Sequence, residues 1–148
     1  MKAHSATCVA IGSRGVLIEG PSGSGKSALA LALIDRGAQL VGDDGVMLQP
    51  LEGRLLAQPH PRTRGLLEIR NIGLVRFDVC ERVTISLLVS LDENAPRFIE
   101  AAQVAEREGI VLPAVAIWPE PTPPALKIEH ALRLYGSPFN PEADGSWT

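Results

Sequence analysis

The stretch of sequence that decides the fold is Gly20-Pro21-Ser22-Gly23-Ser24-Gly25-Lys26-Ser27. It matches the phosphate-loop pattern G-x-x-x-x-G-K-S/T at every fixed position. The apolar run at 16–18 predicts a buried strand before it, and the run at 28–34 predicts a helix after it. In that context the glycines let backbone N–H groups converge on phosphate oxygens, and the helix N-terminus adds partial positive charge. The pattern predicts a nucleoside triphosphate site, with Lys26 on the β- and γ-phosphates and Ser27 on Mg²⁺.

Size and composition describe an ordinary globular domain that can bury a core without disulfides. The chain has 148 residues, of which 45% are apolar and 21% charged. A net charge of −3 does not indicate a basic surface that would bind nucleic acid or an anionic membrane. The six aromatic residues (three Phe, two Trp and one Tyr) do not indicate a surface on which the bases of single-stranded nucleic acid would stack. Gly12 and Gly15 interrupt the N-terminal apolar stretch, and no window approaches about 18 apolar residues. We expect a cytoplasmic protein with no nucleic-acid partner and no membrane partner.

Short apolar runs separated by Gly, Pro and Asn predict a mixed α/β sheet rather than a regular βαβ repeat. The runs at 7–11 and 16–19 flank a Gly-rich turn and predict a hairpin. The helix after the phosphate loop should end near Arg36, because Gly37 stands at a C-cap position. Further strands are expected at 40–41, 46–48, 55–56, 66–69, 74–77 and 83–91, the last of them central.

The second half of the chain predicts fewer elements. Ala and Glu residues at helix-compatible spacing predict a helix over 97–108, and another apolar run follows at 111–117. A Pro-rich connection leads to a predicted C-terminal helix over 124–135, with Gly136 after it. We therefore expect a phosphate-loop domain over residues 1–136 and a flexible C-terminal tail over 137–148.

A phosphate loop alone does not tell what receives the γ-phosphate. The deciding group is a carboxylate that holds Mg²⁺ or takes a proton from the attacking group. Asp92, at the end of the 85–91 run, stands where nucleotide hydrolases carry their magnesium-side acid. Asp43 and Asp44 also follow a strand, and a carboxylate pair beside phosphates favours a metal or a histidine that offsets the charge. Either acid also suits a plain surface turn, so residue chemistry leaves the choice open.

Four motifs, in the right order between about His4 and Leu91, resemble the HPr kinase/phosphorylase family. They are the phosphate loop, Leu33-Ile34-Asp35-Arg36-Gly37, Leu40-Val41-Gly42-Asp43-Asp44, and Gly65-Leu66-Leu67-Glu68-Ile69-Arg70-Asn71-Ile72-Gly73-Leu74. The resemblance implies the fold of the HPr kinase catalytic domain, a homohexamer in the cytoplasm, and ATP and Mg²⁺ as cofactors. It also implies an enzyme that phosphorylates a serine of HPr, the carrier protein of the bacterial sugar phosphotransferase system, and so regulates carbohydrate metabolism. Such an enzyme can also remove that phosphate by phosphorolysis.

The resemblance also implies roles for individual residues. Lys26 and Ser27 keep their phosphate and magnesium roles. Asp43 and Asp44 supply the base that deprotonates the substrate serine and the acid for the reverse step, which suits a weak hydroxyl nucleophile. Glu68 is implied as a second magnesium ligand. His4, which resembles the family's histidine just before the first catalytic strand, is implied to orient or polarise the aspartate pair.

The chain departs from the family pattern in three places. We expect a chain without the N-terminal domain of the longer members, which resembles the family's short form. The loop arginine that the family ties to dephosphorylation has no counterpart in 118–126, and Asn71 replaces a signature glycine. We therefore expect an impaired reverse reaction, or one helped by another cation such as Arg62 or Arg64. The alternative functions are a small-molecule kinase or nucleotide hydrolase, if Asp92 is the essential acid, and a nucleotide-sensing module with little turnover.

Overall fold

A computed structural model describes residues 1–138 of the chain. The elements in this part of the chain are β1 (Lys2–His4), β2 (Thr7–Ile11), β3 (Arg14–Glu19), α1 (Lys26–Asp35), β4 (Gln39–Gly42), β5 (Val46–Leu51), β6 (Arg54–Pro59), β7 (Leu66–Ile69), β8 (Gly73–Arg76), β9 (Val83–Leu91), β10 (Gln103–Arg107), β11 (Ile110–Ile117) and α2 (Ala125–Tyr135). Neither helix in residues 1–138 has the length and apolar character needed to cross a bilayer.

Strand β9 is the centre of a nine-stranded mixed sheet. It pairs in parallel with β3 along one edge. Its first residues pair antiparallel with β6, and its last residues pair in parallel with β11. From β3 the sheet continues through β2 to β4, and from β6 it continues through β5 to β1. The central position predicted for the 83–91 run is confirmed, as is the mixed sheet.

Each face of the sheet carries its own apolar cluster, because successive side chains of a strand point to opposite faces. Ile18 and Leu87 belong to the cluster that α1 and α2 cover. Leu17 and Leu88 belong to the other cluster, which includes Leu112 of the β10–β11 hairpin. The strand that leads into the phosphate loop is therefore buried on both faces, as its continuous apolar run predicts.

The predicted β2–β3 hairpin and the ends of both helices are confirmed. The helix predicted over 97–108 is wrong, because residues 103–107 form strand β10, paired antiparallel with β11. Glu108 and Gly109 adopt positive φ values of 51° and 79° and make the turn between these strands. Pairing with β11 outweighs the weak helical preference of the Ala and Glu residues. Of the tail predicted over 137–148, residues 139–148 lie outside the described residues.

Candidate functional site

The loop at 20–25 joins β3 to α1, which confirms the predicted strand–loop–helix context. Gly23 and Gly25 have φ values of 81° and 101°, a region that other residues rarely adopt. Gly20 is required for a different reason, since a Cβ there would lie 2.7 Å from the Ser24 hydroxyl oxygen. The close approach at Gly20 and the positive φ at Gly25 therefore explain why the pattern has a glycine at each of these two positions.

Several polar groups of the loop are available to bind an anion. No side chain caps the N-terminus of α1, so its first N–H groups keep their positive potential. The buried Ser24 hydroxyl has no hydrogen-bond partner within residues 1–138. The Lys26 ammonium donates hydrogen bonds to the carbonyl oxygens of Gly20 and Pro21, at 2.8 and 3.1 Å, and so lies across the loop. A charged phosphate oxygen is a stronger acceptor than either carbonyl.

Asp43 is the polar centre of the site. It follows β4 and is only 5% exposed. Its Oδ1 accepts hydrogen bonds from the Ser27 hydroxyl at 2.7 Å and from the Thr7 hydroxyl at 3.1 Å. Its Oδ2 accepts a hydrogen bond from the backbone N–H of Glu68 at 3.4 Å. One carboxylate thus ties α1, β2 and β7 together beside the phosphate loop.

Thr7 is a site residue that sequence reasoning missed. It is fully buried at the start of β2, between the equally buried Ala6 and Cys8. A buried hydroxyl needs a hydrogen-bond partner, and Asp43 provides it. The indication in the sequence is that Thr7 is a polar residue at the start of an otherwise apolar run.

Asp44 occupies a different position from its neighbour. It is exposed and has a φ of 59°, which is uncommon for a residue other than glycine. It lines a cleft of about 550 Å³ together with Lys26, Ser27, Glu68 and Arg70. We call this space the Lys26 cleft. The predicted residues Lys26, Ser27, Asp44 and Glu68 are therefore brought together, with Asp43 directly behind Ser27.

The Ser27–Asp43 pair also fits a magnesium ion. Mg²⁺ prefers oxygen ligands and is commonly held by one or two carboxylates together with phosphates and water. A serine hydroxyl 2.7 Å from a carboxylate, at the start of α1, supplies donors of that kind. Within residues 1–138 no cluster of three or more His, Cys, Asp or Glu residues forms a metal site of protein groups alone. The residues present therefore fit an ion that also needs phosphate ligands.

His4 forms its side-chain hydrogen bond with Glu19, whereas the family resemblance implied a role beside the aspartate pair. Its Nε2 is 2.7 Å from a carboxylate oxygen of Glu19, and no hydrogen bond within residues 1–138 joins it to Asp43 or Asp44. Arg107 holds the same carboxylate with two hydrogen bonds, of 2.6 and 2.9 Å. Partial burial tends to raise the pKa of Glu19, but hydrogen bonds and charge from Arg107 and His4 outweigh it and hold the pKa below its ordinary value.

Sequence reasoning missed Glu19 and Arg107. Glu19 directly precedes Gly20, so a carboxylate next to the loop was visible in the sequence. Arg107 lay in a segment predicted as helix, and only the β10–β11 hairpin carries it to Glu19.

Asp92 lies on the other side of the phosphate loop from Lys26. It lines a second cleft, of about 920 Å³, formed by the loop, residues 90–94 at the end of β9 and just after it, and the proline side chains and Glu120 within 119–124. We call this space the Pro-rich cleft. One carboxylate oxygen of Asp92 accepts a hydrogen bond of 2.8 Å from the backbone N–H of Asn94. Asp92 does not line the Lys26 cleft, so the geometry favours Asp43 and Asp44 as the acids beside Lys26 and Ser27.

The structure places neither Arg62 nor Arg64 in the Lys26 cleft. Arg64 forms an ion pair with Glu81, and the backbone N–H of Arg62 bonds to the ring of His60. Arg70, within the signature segment, does line the cleft. Among the described residues that line the Lys26 cleft, Arg70 is therefore the arginine.

This chain is a mixed α/β domain in which the phosphate-loop pattern joins a buried strand to a helix and an aspartate accepts a hydrogen bond from the serine of that pattern. The family model described as HPr Serine kinase C-terminal domain matches residues 1–107. The chain belongs to that family, as the sequence motifs predicted.

Individual relatives agree with this assignment. The chain is 38% identical over 86 residues to an HPr kinase/phosphorylase of Clostridium tetani, covering 53% of this chain and 28% of that protein. It is 46% identical over 61 residues to an HPr kinase/phosphorylase of Clostridium beijerinckii, covering 41% and 20%. The chain thus spans less than a third of the length of these curated relatives.

A solved structure covers most of the chain. The HPr(Ser) kinase/phosphatase from Coxiella burnetii is 28% identical, with a TM-score of 0.80 over 90% of this chain and 89% of that one. The predicted likeness to the fold of the HPr kinase catalytic domain is confirmed.

Proposed function

We propose that this chain is an ATP- and Mg²⁺-dependent kinase that phosphorylates a serine of the carrier protein HPr. The observation that carries the proposal is the arrangement around Ser27, with buried Asp43 bonded to its hydroxyl and exposed Asp44 in the same cleft as Lys26. Family membership and the names of the relatives support HPr as the substrate.

The two aspartates take separate roles in this proposal. Asp43, buried and bonded to Ser27, holds Mg²⁺ with that hydroxyl, as the loop Ser and a strand-end Asp do in phosphate-loop enzymes. Asp44 is exposed to an incoming protein and is the general base. It accepts the proton of the substrate serine as the serine oxygen bonds to the γ-phosphorus. The bond from that phosphorus to the β,γ-bridging oxygen breaks, and ADP leaves.

The remaining groups assist that step. Lys26 stabilises the charge that develops between the β- and γ-phosphates. Glu68, which lines the Lys26 cleft, would be a second ligand for the metal, and its backbone N–H donates a hydrogen bond to Asp43. His4 acts through Glu19 rather than through the aspartates, because its ring bonds to the carboxylate just before the loop.

The reverse reaction brings inorganic phosphate to a phosphoserine, and two anions in one cleft need cationic help. We propose that Arg70 supplies it, since Arg70 lines the Lys26 cleft and its guanidinium can contact two phosphate oxygens at once. Phosphorolysis therefore survives the loss of the family's loop arginine in weakened form.

We also propose that the protein works in the cytoplasm as a homohexamer. Leu126 and Leu134 of α2 are 57% and 68% exposed, which leaves apolar side chains for contacts between subunits. Light scattering at micromolar concentration tests this, and a monomer would contradict it.

A single-turnover assay tests the proposed function. The enzyme is mixed with purified HPr, Mg²⁺ and ATP labelled on the γ-phosphate. Label on an HPr serine supports the proposal, label released as free phosphate supports a hydrolase, and label retained on ATP supports a nucleotide-sensing module. Lys26→Ala is the control that should abolish transfer in the first case.

A further inference from the structure

We propose that the Pro-rich cleft binds the nucleoside half of the nucleotide, with Asp92 accepting hydrogen bonds from the ribose hydroxyls. The inference rests on the proposed function, because it assumes that the phosphate loop holds the triphosphate.

The phosphate loop is the wall that the two clefts share. Gly20, Ser22, Gly23 and Gly25 line both clefts, but Lys26 lines the Lys26 cleft alone. A triphosphate that follows the loop ends with its γ-phosphate at Lys26 and Ser27. Its nucleoside end must then leave the loop on the far side, where the Pro-rich cleft lies. The cleft's volume of about 920 Å³ accommodates a ribose and a base, since ligand sites commonly span roughly 300–1,000 Å³.

The charged residues of the two clefts support the same orientation of the nucleotide. The Lys26 cleft carries the cations Lys26 and Arg70 beside the carboxylates of Asp44 and Glu68, whereas the described lining of the Pro-rich cleft contains carboxylates and no Lys, Arg or His. Carboxylates repel phosphates and accept hydrogen bonds from hydroxyl and amino groups. A nucleotide therefore fits the two clefts in one direction, with its anionic end toward Lys26.

Asp92 is the acceptor best placed for the ribose. The other carboxylates of the cleft are Glu19, Glu120 and Glu93. Glu19 is engaged with Arg107 and Glu120 with Lys127, and the exposed Glu93 side chain has no hydrogen bond within residues 1–138 that would fix it toward the loop. Asp92 has no ion pair within residues 1–138. Its carboxylate is fixed by the Asn94 N–H on one oxygen, which leaves the other for a hydroxyl donor. It follows the same strand, β9, that pairs with the strand leading into the loop.

The opposite wall consists of proline rings at 119, 121, 123 and 124. Proline has a fixed φ and no backbone N–H, so this wall is rigid and offers flat apolar contact to a base without reading its edge. The described lining contains no aromatic side chain. We therefore expect the ribose to contribute more to affinity than the identity of the base.

Calorimetric titration of the full chain with three probes, in the presence of Mg²⁺, tests this assignment. The probes are ATP, 2′,3′-dideoxy-ATP and inorganic tripolyphosphate. Asp92→Ala should weaken ATP binding by ~10-fold or more, the scale of a lost hydrogen bond to a charged group, and leave tripolyphosphate within about twofold. The dideoxy nucleotide should bind the unaltered chain as weakly as ATP binds Asp92→Ala, and the variant should not weaken it further.

Two further variants make the result decisive. Pro121→Trp fills the Pro-rich cleft and should weaken ATP without affecting tripolyphosphate, independently of Asp92. Asp78→Ala removes an exposed acid outside both clefts and should change neither. Equal losses for ATP and tripolyphosphate in Asp92→Ala and in Pro121→Trp, or equal binding of ATP and its dideoxy analogue, would overturn the inference. If instead Lys26→Ala binds all three probes normally, the proposed function itself fails.

Discussion

Replacing Asp43 and Asp44 by asparagine, one at a time, tests the separation of roles between two adjacent carboxylates. Asparagine keeps the size of the side chain but removes its charge and its basicity. Asp43 faces three donors, the hydroxyls of Ser27 and Thr7 on one oxygen and the backbone N–H of Glu68 on the other. An amide can offer its oxygen to only one of those sides, so its NH₂ group must face the other.

The structure sets the expected loss of stability. The two hydroxyls can rotate to accept a hydrogen bond, but the N–H of Glu68 cannot, so Asp43→Asn weakens the site without leaving every donor unpaired. Weakening a buried, charge-assisted hydrogen-bond centre of this kind costs about 1–2 kcal/mol. For a chain of this size that corresponds to a Tm lower by about 3–6 °C. Asp44→Asn, at an exposed position, should stay within about 0.5 kcal/mol of the unaltered chain.

Activity should follow a different order. Removing a general base lowers the rate of transfer by about 10²–10⁴-fold, so Asp44→Asn should lower kcat on that scale with ATP binding largely kept. Asp43→Asn should also lower transfer, by about 10²-fold or more, and should in addition need more Mg²⁺ for half-maximal rate. The assay is transfer of label from ATP to HPr at several Mg²⁺ concentrations, alongside thermal unfolding followed by circular dichroism. At saturating ATP, Asp92→Asn should leave the chemical step largely unchanged, because Asp92 is assigned to nucleoside binding. Asp78→Asn, at an exposed acid outside both clefts, is the matched control.

Two results would refute this reasoning. If Asp44→Asn retains full transfer while Asp92→Asn loses it, the base is not in the Lys26 cleft and the hydrolase alternative takes over. If Asp43→Asn changes neither the Tm nor the Mg²⁺ concentration needed for half-maximal rate, Asp43 is not a ligand of the metal ion.

Further predictions address the loop, the ion network and the reverse reaction. Lys26→Ala should abolish ATP binding measured by calorimetry, because the ammonium neutralises the β- and γ-phosphate charge. The pKa of Glu19 is lowered on folding, so its contribution to stability is present above its unfolded pKa and is lost as pH falls through the folded one. Arg107→Ala should flatten that acid dependence of the urea midpoint, and an unchanged profile would contradict it. Arg70→Ala should slow release of pyrophosphate from phosphoserine-HPr and inorganic phosphate, whereas Arg64→Ala should not, because Arg64 is held by Glu81.

The parts of the fold that the sequence predicted are those with strong local signals. The backbone of the phosphate loop has positive φ at Gly23 and Gly25, and α1 ends at Asp35, two residues before Gly37 with its φ of 108°. Strand β9 is mostly apolar, as expected for a strand that is buried on both faces. Strand β10 has no such signal, since alternate residues face solvent and its pairing with β11 depends on a partner later in the chain.

The same distinction applies to the candidate site, and it explains which residues were found. Lys26 and Ser27 lie in a contiguous motif, and Asp43, Asp44 and Glu68 carry a family pattern within short segments. Glu19 and Arg107 are 88 positions apart and meet only because β11 pairs with β9 and brings the β10–β11 hairpin to Glu19. The partner of His4 depends on the same packing, since its ring lies 2.7 Å from the Glu19 carboxylate that Arg107 also holds. Contacts of this kind depend on the packing of the whole sheet. The sequence near the loop therefore does not predict them, because the partner residues lie on strands that are distant along the chain.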